Sequence, residues 1–250
     1  MIRHLLLSTA AVAVITATPA NAAARKATVP AAATLPASNP FARPSTLPFE
    51  TPDFSRIKDS DYLPALLAGM AQQKAEVTAI ANNPATPTFA NTVEAMEMSG
   101  LLLERANLAF NAVNGANTND TLQATDTKTA PLFAAHNDFI YLNAKLFQRF
   151  KYLHDRQAEL GLNPEQAKLL DVYYKQFQHA GAELPAAKQT QLKAINQQLS
   201  TLQTNFGQRL LEAAKAGALH VTDASALAGL SEQQIASVLD PVAMTGQARQ

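Results

Sequence analysis

The chain has 250 residues, 47% of them hydrophobic, enough to bury a sizeable core as one large domain or two small ones. Its 20 Lys and Arg balance its 20 Asp and Glu, which removes the basic surplus that nucleic acid or an anionic membrane would require of a partner. With no cysteine it can form no disulfide, no thiolate metal site and no cysteine nucleophile.

Arg3 and His4 precede an apolar run from Leu5 to Ala17. Pro19 breaks the run, and Ala20-Asn21-Ala22 has small residues at the spacing that signal peptidase reads. The run is too short to span a bilayer comfortably. Residues 1–22 are therefore predicted to be a signal peptide. The mature chain then begins near Ala23 and works outside the cytoplasm, in a bacterial periplasm, without a membrane span.

Residues 23–52 are rich in Ala, Pro, Ser and Thr. Proline fixes φ and removes donors, so this stretch is predicted to be extended. Phe41, Leu47, Phe49 and Phe54 are expected to pin its second half to the body.

Residues 53–217 carry helical periodicity throughout. From Asp59, Leu63, Leu66, Leu67, Met70, Val77 and Ile80 share one face. Ser60 or Asp61 is the expected cap, Pro64 falls in the first turn, and Asn82-Asn83-Pro84 is the stop. Asn91-Thr92-Val93-Glu94 reads as a capping box that opens a second helix carrying Val93, Met96, Leu103, Asn107 and Phe110. Gly100 lies on that stripe, where it would admit a neighbouring helix, and Gly115 to Thr118 ends this helix and caps a third. Pro131 is expected to kink or split the third. Asn143 opens a fourth helix closed by Gly161, and Asn163-Pro164-Glu165-Gln166 opens a fifth closed by Gly181. Pro185 to Ala216 is the longest pattern. Leu192, Ile195, Leu199, Leu202, Phe206 and Leu210 stand three and four apart, a stripe that wants one long partner surface.

Residues 218–250 read as the truncated start of a further subdomain. Gly217 terminates the long helix, Leu219-His220-Val221 is the one credible strand, and Ser231-Glu232-Gln233-Gln234 is a capping pattern.

Catalytic chemistry is hard to place on this sequence. A helical zinc hydrolase site needs two histidines at i and i+4 with a glutamate beside them. The histidines are His4, His136, His154, His179 and His220, with no two within five positions, so HExxH is absent. His179 and Glu183 are four apart and could share a cation, but Gly181 between them favours a histidine at a helix C-terminus. His154 and Asp155 read as a solvated face, and His136 as a satisfied core residue. His220 has no nameable partner. There is no G-x-S-x-G elbow and no glycine-rich phosphate loop. Tyr173-Tyr174 with Lys175 is either an aromatic platform or one core ring and one surface ring. Asn114 to Asp120 is a cap and turn, or a polar rim on a cleft.

Several blocks together resemble a known family. They include Asn39-Pro40-Phe41, Ser45-Thr46-Leu47-Pro48-Phe49, Asp59-Ser60-Asp61-Tyr62 and Ile80-Ala81-Asn82-Asn83-Pro84. Further along come Ala116-Asn117-Thr118-Asn119-Asp120, Tyr173-Tyr174-Lys175, Leu199-Ser200-Thr201-Leu202 with Phe206, and Lys215-Ala216-Gly217-Ala218-Leu219. Over roughly Asn39 to Ala236 the chain is similar to the N-terminal portion of bacterial dipeptidyl carboxypeptidases, in the thimet oligopeptidase family of zinc metallopeptidases. The resemblance implies an all-α fold, the multi-helix N-terminal wall or lid of a channel, incomplete without the catalytic half. For the complete protein it implies a zinc cofactor and release of dipeptides from the C-termini of short peptides. It implies the missing catalytic domain as partner. None of the family's ligands maps onto this chain, so no catalytic, cofactor-binding or metal residue is expected here, and no zinc bound by this chain alone. The alternative is a non-catalytic helical module that binds peptides or proteins.

Overall fold

The computed structural model describes residues 35–218, 221 and 224–238. The expected signal peptide, the start of the Pro/Ala-rich segment, Leu219, His220 and the last twelve residues lie outside the described residues. Among those described there is no strand, and the architecture is all-α as expected.

The segment before the first helix is tied down chiefly around Asn39 and Phe41, with Leu35 and Ile57 also packed on the core. Asn39 Oδ1 accepts from the Phe41 amide at 2.9 Å and caps a short turn, Pro40–Ala42, while its Nδ2 donates to the Asp61 carbonyl at 3.0 Å. Phe41 is buried with its ring 5.5 Å from Tyr62, which packs edge-on against Phe110. Leu47, Phe49 and Phe54 do not pin the segment as expected. All three are exposed, Phe49 completely. Phe49 and Glu50 are consecutive non-glycine residues at positive φ, a tight turn that leaves the ring in solvent.

The central helix α1, Asp59–Ala81, begins where the helical pattern does, but its cap position is Lys58 and not Ser60 or Asp61. Asp61 acts from inside it, accepting from the Lys58 amide at 2.8 Å, and Pro64 therefore falls in the second turn. Thr88, not Asn91, caps the next segment. Thr88 Oγ1 accepts from the Asn91 amide and Asn91 Oδ1 from the Thr88 amide, a reciprocal box that opens a π-helical stretch, Phe89–Glu94, running into α2, Ala95–Glu97. The expected single helix then breaks at Gly100, which has φ 76° and opens α3, Leu101–Ala116. Glu76 accepts the Gly100 amide at 2.7 Å, and a Cβ there would run into the Gln73 side chain. The close helix approach is made by Gly69 instead, where a Cβ would lie 2.7 Å from the Leu103 Cα.

Asn119 caps α4, Asp120–Tyr141, by accepting from the amides of Thr121 and Leu122. The helix runs through Pro131 without the expected split. It is packed against α1 and against the later α7, Ala186–Ala216, and that packing outweighs one missing backbone bond. Asn143 caps α5, Ala144–His154, which stops about two turns before Gly161. Asn163 caps α6, Pro164–His179, as expected, and with Gln166 it closes a reciprocal box. Gly181, with φ 92°, turns the chain into α7, and Gly217 ends it. Ser231 and Gln234 cap α8, Glu232–Val238, as expected.

Two apolar clusters result. Tyr62, Leu66, Met70, Leu103, Phe110 and Leu122 join α1, α3 and α4. Val77, Ile80, Val93, Leu146, Phe150 and Phe177 join the end of α1 to the π-helical stretch, α5 and α6. The segment between α1 and that stretch is clamped by Arg149 of α5. Its Nη1 donates to the carbonyls of Asn83 and Ala85, and its Nη2 to Asn91 Oδ1 at 2.7 Å.

Candidate functional site

The polar and titratable groups singled out in the sequence are distributed over separate places. His136 is buried on α4 as expected, but only one of its two ring nitrogens is satisfied. Its Nε2 lies 2.7 Å from Gln73 Oε1, while its Nδ1 is buried without a partner. Burial, aided by the Lys74 charge, pushes its pKa down to about 4, so the ring is neutral and Nε2 is the donor.

His154 is not simply on a solvated face. Its ring stacks on Tyr174 at 3.9 Å, and its Nε2 is 3.9 Å from Asp171. Asp155 does face solvent, paired with Lys151 at 2.6 Å. Tyr173 and Tyr174 do not divide into core and surface, and neither forms a free platform. Both are half-buried, with Tyr173 on Phe150 and Tyr174 stacked on Phe147. The Tyr173 hydroxyl donates to Glu97. Burial, and then that carboxylate, holds the phenol well above its usual range. His179 ends α6, exposed, and Glu183 accepts from Gln178 rather than joining it. Among the described residues no group of three or more His, Cys, Asp or Glu could hold a metal ion.

Several concavities flank these helices, two of them beside segments singled out in the sequence. One, of about 420 Å³, lies under the N-terminal segment and is lined by Arg43, Arg56 and Arg105 together with Glu50 and Asp53. Its charge is mixed, and Arg105 spends Nη1 and Nη2 on the carbonyls of Leu101 and Phe41. The other, of about 390 Å³, is open and lies between the α3–α4 turn and α7, lined by Asn114, Thr118, Gln123, Asp126 and Gln208. The Asn114 to Asp120 run thus serves both expectations: Asn119 is a cap, and Asn114 and Thr118 form a polar rim, hydrogen-bonded to each other at 2.7 Å.

The most unusual surface is α7. No residue of this helix is buried. Its inner face is polar: Asn196 Nδ2 donates to Asp138 Oδ1 at 2.7 Å, and Gln208 Nε2 to Thr127 Oγ1 at 2.7 Å and to the Gln123 carbonyl at 3.2 Å. Leu192, the first member of the expected stripe, is half-buried beside Gly181, and the rest of the stripe points outward, with Ile195, Leu199, Leu202, Phe206 and Leu210 all exposed, Phe206 by 70%. The exposed stripe agrees with the reading that it wants a partner surface.

The described helices therefore offer packing surfaces and polar rims, without an assembled catalytic constellation. No helix among them is long and apolar enough to cross a membrane.

No family model matches the chain. It is 43% identical over 198 residues to the dipeptidyl carboxypeptidase of Salmonella typhimurium and 44% identical over 198 residues to that of Escherichia coli. These matches take in 79% of this chain but only 29% of either relative. Oligopeptidase A of Salmonella typhimurium is 25% identical over 189 residues, 76% of this chain and 28% of that protein. The chain thus spans less than a third of the length of these relatives. Over that span the resemblance carried by the sequence blocks holds: the chain is similar to one part of the bacterial dipeptidyl carboxypeptidases.

Proposed function

We propose that this chain is the helical, non-catalytic N-terminal wall of a peptidase that releases dipeptides from the C-termini of oligopeptides. The observation that carries this reading is the 43–44% identity over 198 residues to two dipeptidyl carboxypeptidases. The zinc that the family resemblance implies does not fit the residues present. The sequence has no histidine pair at helical-turn spacing, and the described residues contain no metal-ligand group. The metal and the general base are thus assigned to polypeptide outside this chain, and no catalytic step is derived for any residue here. Short peptides and the catalytic domain are the partners of the assembled protein. Export to a periplasm is part of the same proposal and rests on the Arg3 to Ala22 pattern.

A graft tests the reading. Residues 39–236 of this chain replace the matching stretch of the Escherichia coli dipeptidyl carboxypeptidase, and dipeptide release from an N-blocked tripeptide is measured. The wall role predicts a folded, active chimera. A folded chimera that holds its metal and releases no dipeptide overturns it.

A further inference from the structure

From Ala194 to Gln208, about four turns of α7, there is no Asp, Glu, Lys or Arg. Free helix surface is normally dense in charge, and charge is depleted at the centres of interfaces. The same turns carry the exposed stripe of Ile195, Leu199, Leu202 and Phe206, continued by Leu210. These five side chains run along about 22 Å of helix. Rolling the stripe inward would break the Asn196–Asp138 and Gln208–Thr127 bonds and leave the buried Asp138 carboxylate without its donor. The helix cannot hide its apolar face against its own body.

We propose that this stripe is the docking surface for an amphipathic helix from the polypeptide by which the relatives exceed this chain. The inference rests on the wall reading and gives that wall its contact face. The three-and-four spacing forms a ridge that fits the groove of another helix. The matched stretch is only 29% of the relatives' length, so most of their polypeptide must pack against something. A second copy of α7 is the weaker occupant. The charged flanking pairs that fix register and partner in a self-pairing coil are missing along these turns.

The test co-expresses this chain with a tagged remaining portion of the Escherichia coli relative. An equimolar complex is expected on the tag. The variant carrying Leu199→Gln, Leu202→Gln and Phe206→Gln is expected to lower its yield by about tenfold or more. The isolated variant should keep wild-type helicity and thermal midpoint, since these side chains are exposed in the isolated chain. A complex that the variant leaves intact overturns the docking surface while the wall reading stands. Failure of the unmodified chain to co-purify counts against both, and an active graft chimera then restricts the failure to the docking surface. A variant that loses helicity overturns the proposal, because the stripe would then belong to the chain's own core. Sedimentation of the chain alone should give a monomer at micromolar concentration. A dimer abolished by the triple variant makes a second copy the occupant and overturns the proposal.

Discussion

Asn196 of α7 donates to Asp138 of α4 at 2.7 Å, and Asp138 is itself 6% exposed. This pair is the anchor that decides which face of α7 turns inward. Asn196→Ala removes the donor and leaves a buried carboxylate oxygen without it, at a cost of about 1–3 kcal/mol. Because no residue of α7 is buried, the loss should appear first as faster amide exchange along α7, with α1 and α3 protected as before. Equal acceleration in α1 would mean that α7 is integral to the core.

Gly69 sits where α1 and α3 come closest, and the obstacle to a Cβ is the Leu103 backbone, which cannot rotate away. Gly69→Ala is expected to destabilise the chain by about 1–3 kcal/mol in urea unfolding. Gly115, near the end of α3, has no neighbour within 4 Å of where a methyl group would sit. Gly115→Ala should stabilise by about 0.5–1 kcal/mol through helix propensity. Similar effects at the two sites would remove the packing explanation.

The contrast between these glycines also marks what the sequence could reveal. Caps made by Asn143, Asn163 and Ser231 were legible because the signal is contained in four adjacent residues. The Thr88 cap was missed because its box closes with Asn91 where glutamate or glutamine is usual. The break at Gly100 was hidden by apolar residues that keep helical spacing across it, and the close approach belonged to Gly69 instead. The stripe of α7 was legible as a stripe. What the stripe did not reveal is the anchor on the opposite face, since the hydrogen bonds of Asn196 and Gln208 join residues 58 and 81 positions apart in the chain. Phe49 fails for a related reason: hydrophobicity argues for burial, while its positive φ and full exposure depend on a turn that composition does not encode.

Arg149 shows how a distant contact fixes a loop. Its side chain belongs to a residue only 6% exposed, and it reaches two carbonyls before the π-helical stretch and one amide oxygen inside it. Lysine carries the same charge but not the planar fork, so it cannot meet three acceptors spread over Asn83, Ala85 and Asn91. Arg149→Lys is expected to cost about 1–3 kcal/mol and to open residues 82–91 to limited proteolysis. Wild-type resistance to protease in that variant would show that the capping box at Thr88 holds the segment unaided.

His136 supplies a pH dependence. In the folded chain its pKa lies at about 4, below the ordinary 6.5, because burial and the nearby Lys74 charge disfavour the imidazolium. The unfolded chain therefore binds a proton between those values when the folded chain does not, so stability is complete above about pH 6.5 and falls as the pH drops toward 4. The gap corresponds to about 3 kcal/mol. Carboxylates contribute their own acid-side losses, so the control is His136→Gln, which can still donate toward Gln73 Oε1 and cannot ionise. Urea unfolding of the wild type and of this variant between pH 7 and pH 4 isolates the difference. The variant's stability should decline less over this interval, by an amount close to that figure. Parallel curves for the two proteins would mean that His136 takes up its proton in the folded state, with Nδ1 reaching an acceptor the packing does not now provide.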